Sequence, residues 1–262
     1  GRESVGTVSR CIFSYNKAVG GNGGGLHNGG SVKSGGGMTV ESSLFYENTA
    51  SQRGGGLFIA SYPWTEIQNC TFYENMAVAN GDQIVGEPHA EGGRKATLTN
   101  TICWGSGKNM QIVGMEGNAF ETIRFCCFPE WKLSDDGAVT DKNIHSDPLF
   151  KEPDQMDFTL QPASECIDMG INVGLNADLA GHAVPFGQGV DMGAYEFSVP
   201  DGDMDCNGIS DLGDAIWAAK IATGQSVLPV CKDAEISGDS RIGTEEMIFI
   251  LRKLASGEEE DN

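Results

Sequence analysis

The chain has 262 residues, 37 of them glycine, and its hydrophobic fraction of 39 % argues against a wholly disordered protein. Its 37 acidic and 17 basic residues give a formal net charge of −20. This charge disfavours nucleic acid and anionic membranes as partners and suits either cations and basic proteins or a solvated acidic surface. No run of 18 apolar residues occurs, so no membrane span is predicted.

The first half of the chain carries an internal repeat. In each copy an aromatic residue is followed three residues later by asparagine and five residues later by alanine, and a corner containing glycine comes next. Such units bury their apolar side only by stacking on one another, so the pattern predicts a repeat protein. The copies are residues 11–18, 43–50 and 70–77, their corners are residues 23–26, 54–57 and 81–84, and shorter echoes are residues 101–104 and 123–128.

The spacing of the repeat sets the size of one unit. Phe13, Phe45 and Phe72 follow one another at intervals of 32 and 27 residues, which suits a coil of three short strands and three turns. We expect the phenylalanines to stack inside successive coils and the glycine triplets to form tight corners. The asparagines are expected at turns, where they tolerate left-handed backbone and form side-chain ladders. These asparagines are Asn16, Asn48 and Asn75.

The Phe-x-x-Asn-x-Ala…Gly-Gly-Gly-Leu pattern resembles the repeats of polymorphic outer-membrane proteins and of other secreted parallel β-helix proteins. Residues 146–150, 157–160, 166–170 and 191–196 resemble the closing segment of bacterial β-helix proteins of the choice-of-anchor type. The resemblance covers about residues 5–197. It implies a mainly β fold, a right-handed parallel β-helix over residues 1–198, in a secreted or cell-surface protein, and it implies no particular activity.

Residues 203–214 have the spacing of a calcium-binding loop. Calcium prefers hard oxygen ligands, which such a loop supplies from alternate positions, with glycine at the sixth position where the chain turns sharply. A solvated acidic turn at the start of a helix is the alternative. Asp214 replaces the usual glutamate, and Ser210 stands where an aliphatic residue normally packs. The predicted ligands are Asp203, Asp205, Asn207, the Ile209 carbonyl, Asp211 and Asp214, with Gly208 at the turn.

A second loop matches the same spacing less completely. Ser240 replaces its turn glycine, and Ile242 is expected to pack inward. A count from Asp233 places Gly238 at the sixth position but Thr244 at the twelfth, so the count from Glu235, which keeps a terminal carboxylate, is preferred. Residues 215–222 and 247–254 are expected to form helices after the two loops. The predicted ligands of the second loop are Glu235, Ser237, Asp239, the Arg241 carbonyl and Glu246.

The two loop–helix units begin 32 residues apart and resemble a dockerin domain over about residues 200–257. In that family calcium orders a pair of helices whose surface docks onto a cohesin-type protein. The resemblance implies a calcium-binding domain at residues 199–257, before an acidic tail at residues 258–262, with Ca²⁺ at one or two sites and a protein partner. Residues 215–218 and 247–250 are apolar and depart from the recognition pattern of the family.

The eight cysteines form no CxxC motif and no zinc-type cluster. Their even number permits disulfides in an oxidising compartment, whereas the apolar runs around several of them suit buried free thiols. Cys206 and Cys231 are the two cysteines of the C-terminal domain. We predict that they pair, with two separate buried thiols as the alternative.

Catalysis by a β-helix protein needs paired carboxylates, or a base beside arginine or lysine, along one groove. Asp135 and Asp136 lie in a turn sequence, and the four histidines are isolated. Glu66, Glu74 and Asp82 carry no distinguishing pattern. We therefore expect no enzyme. The alternatives are a fragment of a polysaccharide lyase or hydrolase and a carbohydrate-binding adhesin.

The expected function is that of a secreted, non-catalytic, calcium-binding structural or assembly protein. The repeat begins within a dozen residues of Gly1, which leaves an open β-edge on the first coil. Further chain, another protein or the next subunit is expected to cover this edge. Self-association through the open coil and the C-terminal domain would build a head-to-tail filament.

Overall fold

The computed structural model describes residues 5–29, 36–61, 63–88, 95–117, 119–135, 137–205, 207–227, 234, 236 and 241–256. The chain divides into two compact units. The first, Gly1–Glu196, is here named the β unit, because the regular secondary structure of its described residues is mainly short strands. The second, Phe197–Asn262, is named the C-terminal unit, and its described residues include two α-helices.

Short strands separated by tight turns make up the β unit, and one passage of the chain through its sheets is here called a coil. Short 3₁₀ helices lie at Met115–Gly117, Glu130–Lys132 and Pro153–Gln155 in the described part of the unit. The strands are β1 (Val5–Ser9), β2 (Ile12–Ser14), β3 (Lys17–Ala18), β4 (Leu26–Asn28), β5 (Gly37–Glu41), β6 (Leu44–Tyr46), β7 (Thr49–Ala50), β8 (Leu57–Ile59), β9 (Trp64–Gln68), β10 (Thr71–Tyr73), β11 (Met76–Ala77), β12 (Ile84–Gly86), β13 (Ala96–Thr99), β14 (Ile102–Trp104), β15 (Ile112–Gly114), β16 (Phe120–Arg124), β17 (Leu133–Ser134), β18 (Val139–Asp141), β19 (Phe150–Glu152) and β20 (Asp157–Leu160).

Equivalent strands of successive coils pair side by side in parallel sheets. The sheet orders are β1-β5-β9-β13-β16-β18, β2-β6-β10-β14, β3-β7-β11 and β4-β8-β12-β15-β17. Because parallel neighbours need a long connection, each strand pairs with one from the next coil rather than with its neighbour in sequence. The prediction of a mainly β fold with stacked parallel strands is confirmed, and the arrangement is compatible with a β-helix.

The aromatic residues of the repeat stack inside the β unit, as predicted. Phe13 pairs in register with Phe45, and Phe45 with Phe72. The ring centroids are 4.7 and 4.4 Å apart, with the planes within 6° of each other. The rings lie among the branched aliphatic and cysteine side chains of the inner faces. Cys103 takes the equivalent position in the next coil, so the ring stack ends there.

The predicted asparagine ladder is also present. The side-chain oxygen of Asn48 accepts hydrogen bonds from the backbone N and Nδ2 of Asn16, at 3.0 and 2.9 Å. The side-chain oxygen of Asn75 accepts the same pair from Asn48, at 2.9 and 2.8 Å. The left-handed backbone lies one residue earlier than expected, at Tyr15, Glu47 and Glu74. The asparagines therefore serve the ladder rather than the turn conformation.

The glycine triplets lie at corners where successive coils approach closely. A Cβ atom at Gly25 would lie 2.8 Å from the Gly56 carbonyl oxygen and 3.0 Å from the Phe45 ring. Gly54 has a φ of +63°, which favours glycine. Close approach and backbone conformation both account for the glycines, in agreement with the expected corners.

An antiparallel hairpin closes the outer side of the second sheet. Strands β19 and β20 pair with each other, unlike the parallel strands before them. The Phe158 ring lies 5.2 Å from the Tyr46 ring and 5.2 Å from the Tyr73 ring, and Phe150 lies 5.5 Å from Tyr73. The hairpin thereby buries Tyr46, which points away from the interior stack.

Two helices pack together in the C-terminal unit: α1 (Leu212–Ala222) and α2 (Thr244–Ser256). Each begins three residues before the start predicted from the sequence. Ala218 of α1 and Ile250 of α2 are fully buried in a cluster with Met204 from the preceding loop. Among the described residues, no helix is long and apolar enough to cross a membrane.

The six cysteines that the structure describes are free thiols. Burial raises the pKa of Cys70 and of Cys126 to about 12 each, so these thiols stay protonated and unreactive near neutral pH. The thiol of Cys127 donates a hydrogen bond to the Ser146 carbonyl oxygen at 3.3 Å, and the neighbouring Cys166 thiol together with burial raises the pKa of Cys127. The predicted Cys206–Cys231 pair lies outside the described residues.

Candidate metal centre

Three carboxylates converge in the loop before α1. Asp203, Asp205 and Asp214 each present an oxygen atom within 4.8 Å of the others. Asp203 and Asp205 lie in the loop, whereas Asp214 lies in the first turn of α1. Asp203 and Asp214 are fully buried. The cluster therefore joins the predicted loop to the start of its helix.

The backbone of the loop wraps around Asp203. The carboxylate of Asp203 accepts hydrogen bonds from the backbone N atoms of Gly208, at 2.7 Å, and Asn207, at 3.1 Å. Gly208 has a φ of +89°, in agreement with the sharp turn predicted at this position. The Asn207 N also donates to Asp205, at 3.1 Å. These bonds hold both loop carboxylates in place within the cluster.

Asp214 ties the helix start back to the loop. Its Oδ1 atom accepts hydrogen bonds from the backbone N atoms of Met204 and Asp205, at 2.8 and 3.1 Å. Its Oδ2 atom accepts one from the backbone N of Asp211, at 2.7 Å. Aspartate is short enough to make these contacts from the third residue of the helix.

Crowding and burial raise the affinity of the loop carboxyls for protons. Burial raises the pKa of Asp203 to about 6, and the charges of Asp214 and Asp205 act in the same direction against the hydrogen bonds from Gly208 and Asn207. Burial also raises the pKa of Asp214. A divalent cation bound among the three oxygens would offset both the desolvation and the mutual repulsion. The donor set of hard oxygens fits calcium or a similar cation.

The other predicted ligands of the first loop have different roles in the structure. Asp211 is the N-cap of α1 and accepts a hydrogen bond from the backbone N of Gly213 at 2.5 Å, so its carboxylate lies outside the three-carboxylate cluster. The Asn207 side-chain oxygen accepts a hydrogen bond from the Ile209 backbone N at 2.9 Å. Direct ligation by Asn207, Asp211 and the Ile209 carbonyl stays a prediction.

One residue of the second predicted loop has a feature that suits a cation. Glu246 is almost fully buried, and its Oε2 atom accepts a hydrogen bond from the backbone N of Gly243 at 2.7 Å. Within the described residues its Oε1 atom has no hydrogen-bond partner. A buried oxygen without a partner is costly, and a bound cation would satisfy it. Arg241 is exposed, and Glu235, Ser237 and Asp239 lie outside the described residues.

Sequence reasoning missed a set of buried carboxylates in the closing segment of the β unit. Asp178 accepts hydrogen bonds from the backbone N atoms of Gly181, His182 and Glu196, at 2.7, 2.8 and 3.0 Å. Glu196 accepts bonds from the backbone N atoms of Phe186 and Asp191, at 2.9 and 3.2 Å. These carboxylates organise a segment that has little regular secondary structure. The sequence signal that could have indicated these carboxylates is the set of acidic residues interspersed with glycine in this segment.

The stability of this segment should fall as the pH rises towards neutrality. Burial raises the pKa of Glu196 to about 7, with the nearby Asp191 and Asp178 acting in the same direction. The folded β unit therefore binds this proton more tightly than the unfolded chain does. The stabilisation is complete below the ordinary glutamate pKa and is lost as the pH rises through about 7. Chemical denaturation of Glu196→Gln should show a flatter dependence on pH between 5 and 7.5 than the parent chain.

Glu152→Gln is the matched control for that experiment, because Glu152 is exposed. It should keep the pH dependence of the parent chain. The comparison uses the slope of the free energy of unfolding against pH. It therefore holds even if Glu196→Gln is less stable at every pH because it loses an acceptor for a backbone N–H. Equal slopes in Glu196→Gln and the parent chain would contradict the assignment.

Three of the five carboxylates considered as catalytic candidates accept hydrogen bonds within the β unit. Asp135 accepts from the backbone N atoms of Phe120 and Gly137, at 2.9 and 3.0 Å. Asp82 accepts from the backbone N of Ala77 at 3.0 Å, and Glu74 accepts from Ser106. The bonds to Phe120 and Ser106 join segments that are distant in sequence, whereas those to Gly137 and Ala77 are local. These carboxylates stabilise the coils, and Asp136 lies outside the described residues.

No family model, no curated protein and no solved structure matches the chain. The likeness to polymorphic outer-membrane, choice-of-anchor and dockerin sequences therefore stays a resemblance of motifs.

Proposed function

We propose that the protein is a secreted, non-catalytic, calcium-dependent docking protein. In this proposal the β unit is a rigid body, and the C-terminal unit binds Ca²⁺ and presents its helices to a protein partner. The observation that carries the proposal is the convergence of Asp203, Asp205 and Asp214 within 4.8 Å. Secretion and the dockerin-like role rest on the motif resemblances.

Calcium would act by fixing the start of α1. Asp214 belongs to the first turn of that helix and is also hydrogen-bonded to the loop at Met204 and Asp205. Without a cation, the fully buried carboxylates of Asp203 and Asp214 face each other, and the pKa of each is raised. Because the ion binds the folded loop and not the unfolded chain, it stabilises the helix pair by linkage.

The helices carry exposed apolar side chains that support a docking role. On α1, Leu212 and Ile216 are four residues apart and lie on the same side of the helix. On α2, Ile248, Leu251 and Leu254 follow one another at intervals of three. Exposed apolar side chains aligned along a helix favour a contact with a protein partner. The partner is either another protein or, in the filament form of the proposal, the next subunit.

Calorimetric titration of the metal-free full chain with calcium tests the proposal. We expect saturable binding with a Kd inside the range of about 10⁻⁷ to 10⁻³ M found for loops of this kind. Asp205→Asn should weaken binding about ten-fold or more, because it removes one of three converging charges. Asp205 is only partly buried, so this variant is expected to fold.

Asp201→Asn is the matched control, since Asp201 is exposed and lies just before the loop outside the cluster. It should bind calcium like the parent chain. Absence of binding by the parent chain, or equal losses in the two variants, would contradict a calcium site at this cluster. Sedimentation velocity with and without calcium tests the filament form, which predicts larger species in calcium.

A further inference from the structure

Two cysteines from distant parts of the chain meet where the closing segment packs on the coils. Cys127 lies beside Ile102 of β14, in the coil that follows that strand. Cys166 lies in the closing segment, which runs from the end of β20 to Glu196. Both side chains are completely buried, and the two thiols are neighbours. The contact thus connects a regular coil to a segment with little regular structure.

The backbone of Cys127 is held by the coil before it, and its side chain points away from the interior. Its N atom donates a hydrogen bond to the Thr101 carbonyl at 3.0 Å, and its carbonyl accepts one from the Cys103 N at 2.8 Å. The interior cluster includes the residues on either side, Cys126 and Phe128, but not Cys127. Because side chains of an extended chain alternate between two faces, Cys127 lies on the outer side of the coil.

The closing segment covers this outer side. Thr71 pairs in register with Ile102, and Ile102 forms a bridge with Cys127, so the three residues form one column. The backbone N of Ala194 donates to Thr71 Oγ1 at 2.9 Å. A Cβ atom at Gly193 would lie 2.9 Å from Ile102 Cδ1. The segment therefore packs along the whole column, which buries the thiol at its end.

The backbone of Cys166 is fixed on both sides. Its N atom accepts no freedom from the turn, because it donates to Ser164 Oγ at 3.2 Å, and that hydroxyl donates to the Pro148 carbonyl at 2.6 Å. The Cys166 carbonyl accepts a hydrogen bond from the Met192 N at 3.0 Å. These bonds tie Cys166 to the chain before the hairpin and to the end of the closing segment.

Ser146 holds the two cysteine-bearing segments at one place. Its carbonyl accepts a hydrogen bond from the Cys127 thiol at 3.3 Å. Its hydroxyl donates to the carboxylate of Glu165 at 2.6 Å, and Glu165 directly precedes Cys166. The closeness of the two thiols therefore follows from contacts of the residues around them as well as from their own side chains.

The three cysteines of the interior do not offer a comparable pair. Extension of the register by one residue places Cys70 and Cys126 on either side of Thr101, so their Cα atoms are about two strand spacings, or about 10 Å, apart. Cys103 is displaced from each of them by one coil and two residues, which separates the Cα atoms by about 8 Å. A disulfide joins Cα atoms that are at most about 7 Å apart.

We propose that Cys127 and Cys166 form a disulfide that fixes the closing segment to the outer side of the coils. The oxidant is a low-molecular-weight disulfide such as oxidised glutathione. The thiolate of one cysteine attacks a sulfur atom of the oxidant, whose S–S bond breaks and releases one glutathione thiolate. The second cysteine thiolate attacks the protein sulfur of the mixed disulfide and releases the other. Two electrons and two protons pass from the protein thiols to two molecules of reduced glutathione.

The bond forms before the closing segment is fully packed. In the folded chain both thiols are buried away from an oxidant, and burial raises the pKa of Cys127, which keeps that thiol protonated. In the partly folded chain both are accessible. Once formed, the bond is buried and protected from reductants. The step belongs in an oxidising compartment, which agrees with the proposed secretion, but it does not involve the calcium loop.

Peptide mapping of the full chain tests the pairing directly. The chain is unfolded with a reductant, refolded in a mixture of reduced and oxidised glutathione, and alkylated in denaturant. Cleavage after glutamate releases residues 122–130, which contain Cys126 and Cys127, and residues 166–196, which contain Cys166 alone among the cysteines. Mass spectrometry should show these two peptides linked, with two hydrogen atoms fewer than their sum. Cys126→Ala should keep the link, whereas Cys127→Ala should abolish it.

Thermal unfolding tests whether the bond holds the closing segment. The chain refolded with glutathione should have a Tm for the β unit about 5–15 °C above that of the chain refolded in dithiothreitol. Cys127→Ala and Cys166→Ala should show no such difference between the two conditions. Cys126→Ala is the matched control, because Cys126 is also completely buried, and it should keep the difference. Each variant is compared with itself, so the test holds even if the substitution lowers both Tm values.

Recovery of Cys127 and Cys166 as alkylated thiols after refolding with glutathione would overturn the proposal. So would a link from either of them to another cysteine, or a Tm difference that persists in Cys166→Ala. Failure of calcium binding at the loop would leave all these results unchanged. Absence of the disulfide would likewise leave the calcium titration unchanged, so the failures of the two proposals are distinguishable.

Discussion

Chelation of calcium is expected to unfold the two C-terminal helices while the parallel sheets stay intact. The expectation follows from Asp203 and Asp214, which are fully buried, face each other and have raised pKa values. The apolar core that the described residues of the C-terminal unit form around Met204, Ala218 and Ile250 is small. A small core leaves little stability when the cation is removed.

The size of the effect follows from linkage. A ligand that binds only the folded state stabilises it by about 4 kcal/mol when its concentration is 1,000 times Kd. Circular dichroism should therefore show a loss of helical signal in chelator at a temperature at which the calcium-loaded protein keeps it. Scanning calorimetry should show one transition that moves with calcium and another, from the β unit, that does not move.

Two comparisons identify the cause of that shift. Magnesium should substitute poorly, because it is smaller and demands a more regular octahedral site. Asp205→Asn should reduce the shift, and Asp201→Asn should leave it unchanged. A helical signal that ignores chelator in the parent chain would show that the small core is sufficient without a cation.

The repeat could be predicted from the sequence because its signals are in phase. An aromatic residue, an asparagine and a glycine corner recur together, and each has a separate physical role that requires stacking. This pattern led directly to the prediction of the ring stack at Phe13, Phe45 and Phe72 and of the ladder at Asn48. The convergence of Asp203, Asp205 and Asp214 likewise agrees with their spacing in the loop.

Features that depend on contacts between distant segments were not predictable in this way. The hydrogen bond from the backbone N of Glu196 to Asp178 joins residues 18 apart with no regular element between them. Asn100 accepts from the backbone N of Ile171 at 2.9 Å, which fixes the closing segment to the fourth coil. No periodicity marks either contact. Asp211 shows a second reason why such features could not be predicted. An aspartate just before a helix can serve equally well as a metal ligand or as an N-cap.

The two units are therefore held together by different kinds of interaction. In the β unit, sequence-distant coils are joined by identical side chains, so one pattern encodes both the local strand and its long-range neighbour. In the C-terminal unit, a few carboxylates connect a loop to a helix. The loss of stability caused by a single substitution in the repeat should therefore depend on its position in the stack and on the coils beside it.

Replacement of Phe45 by alanine should produce the largest loss of stability in the β unit. Phe45 is completely buried and stacks on Phe13 at 4.7 Å and on Phe72 at 4.4 Å. Truncation of a buried phenylalanine to alanine costs about 3–5 kcal/mol, because apolar contact is lost and a cavity remains. Here the cavity would interrupt the stack in its middle, where neighbouring coils pair on both sides and restrict collapse.

Phe13→Ala provides the graded comparison and Val19→Ala the exposed control. Phe13 is only partly buried and has one stacking partner among the described rings, so its loss should cost less than that of Phe45. Val19 is 84 % exposed, and its substitution should change stability by no more than about 0.5 kcal/mol. Urea denaturation followed by tyrosine and tryptophan fluorescence measures all three. Equal losses at Phe13 and Phe45 would mean that the ring stack does not determine the stability of the coils, whereas a larger loss at Phe45 assigns that stability to burial between two neighbours.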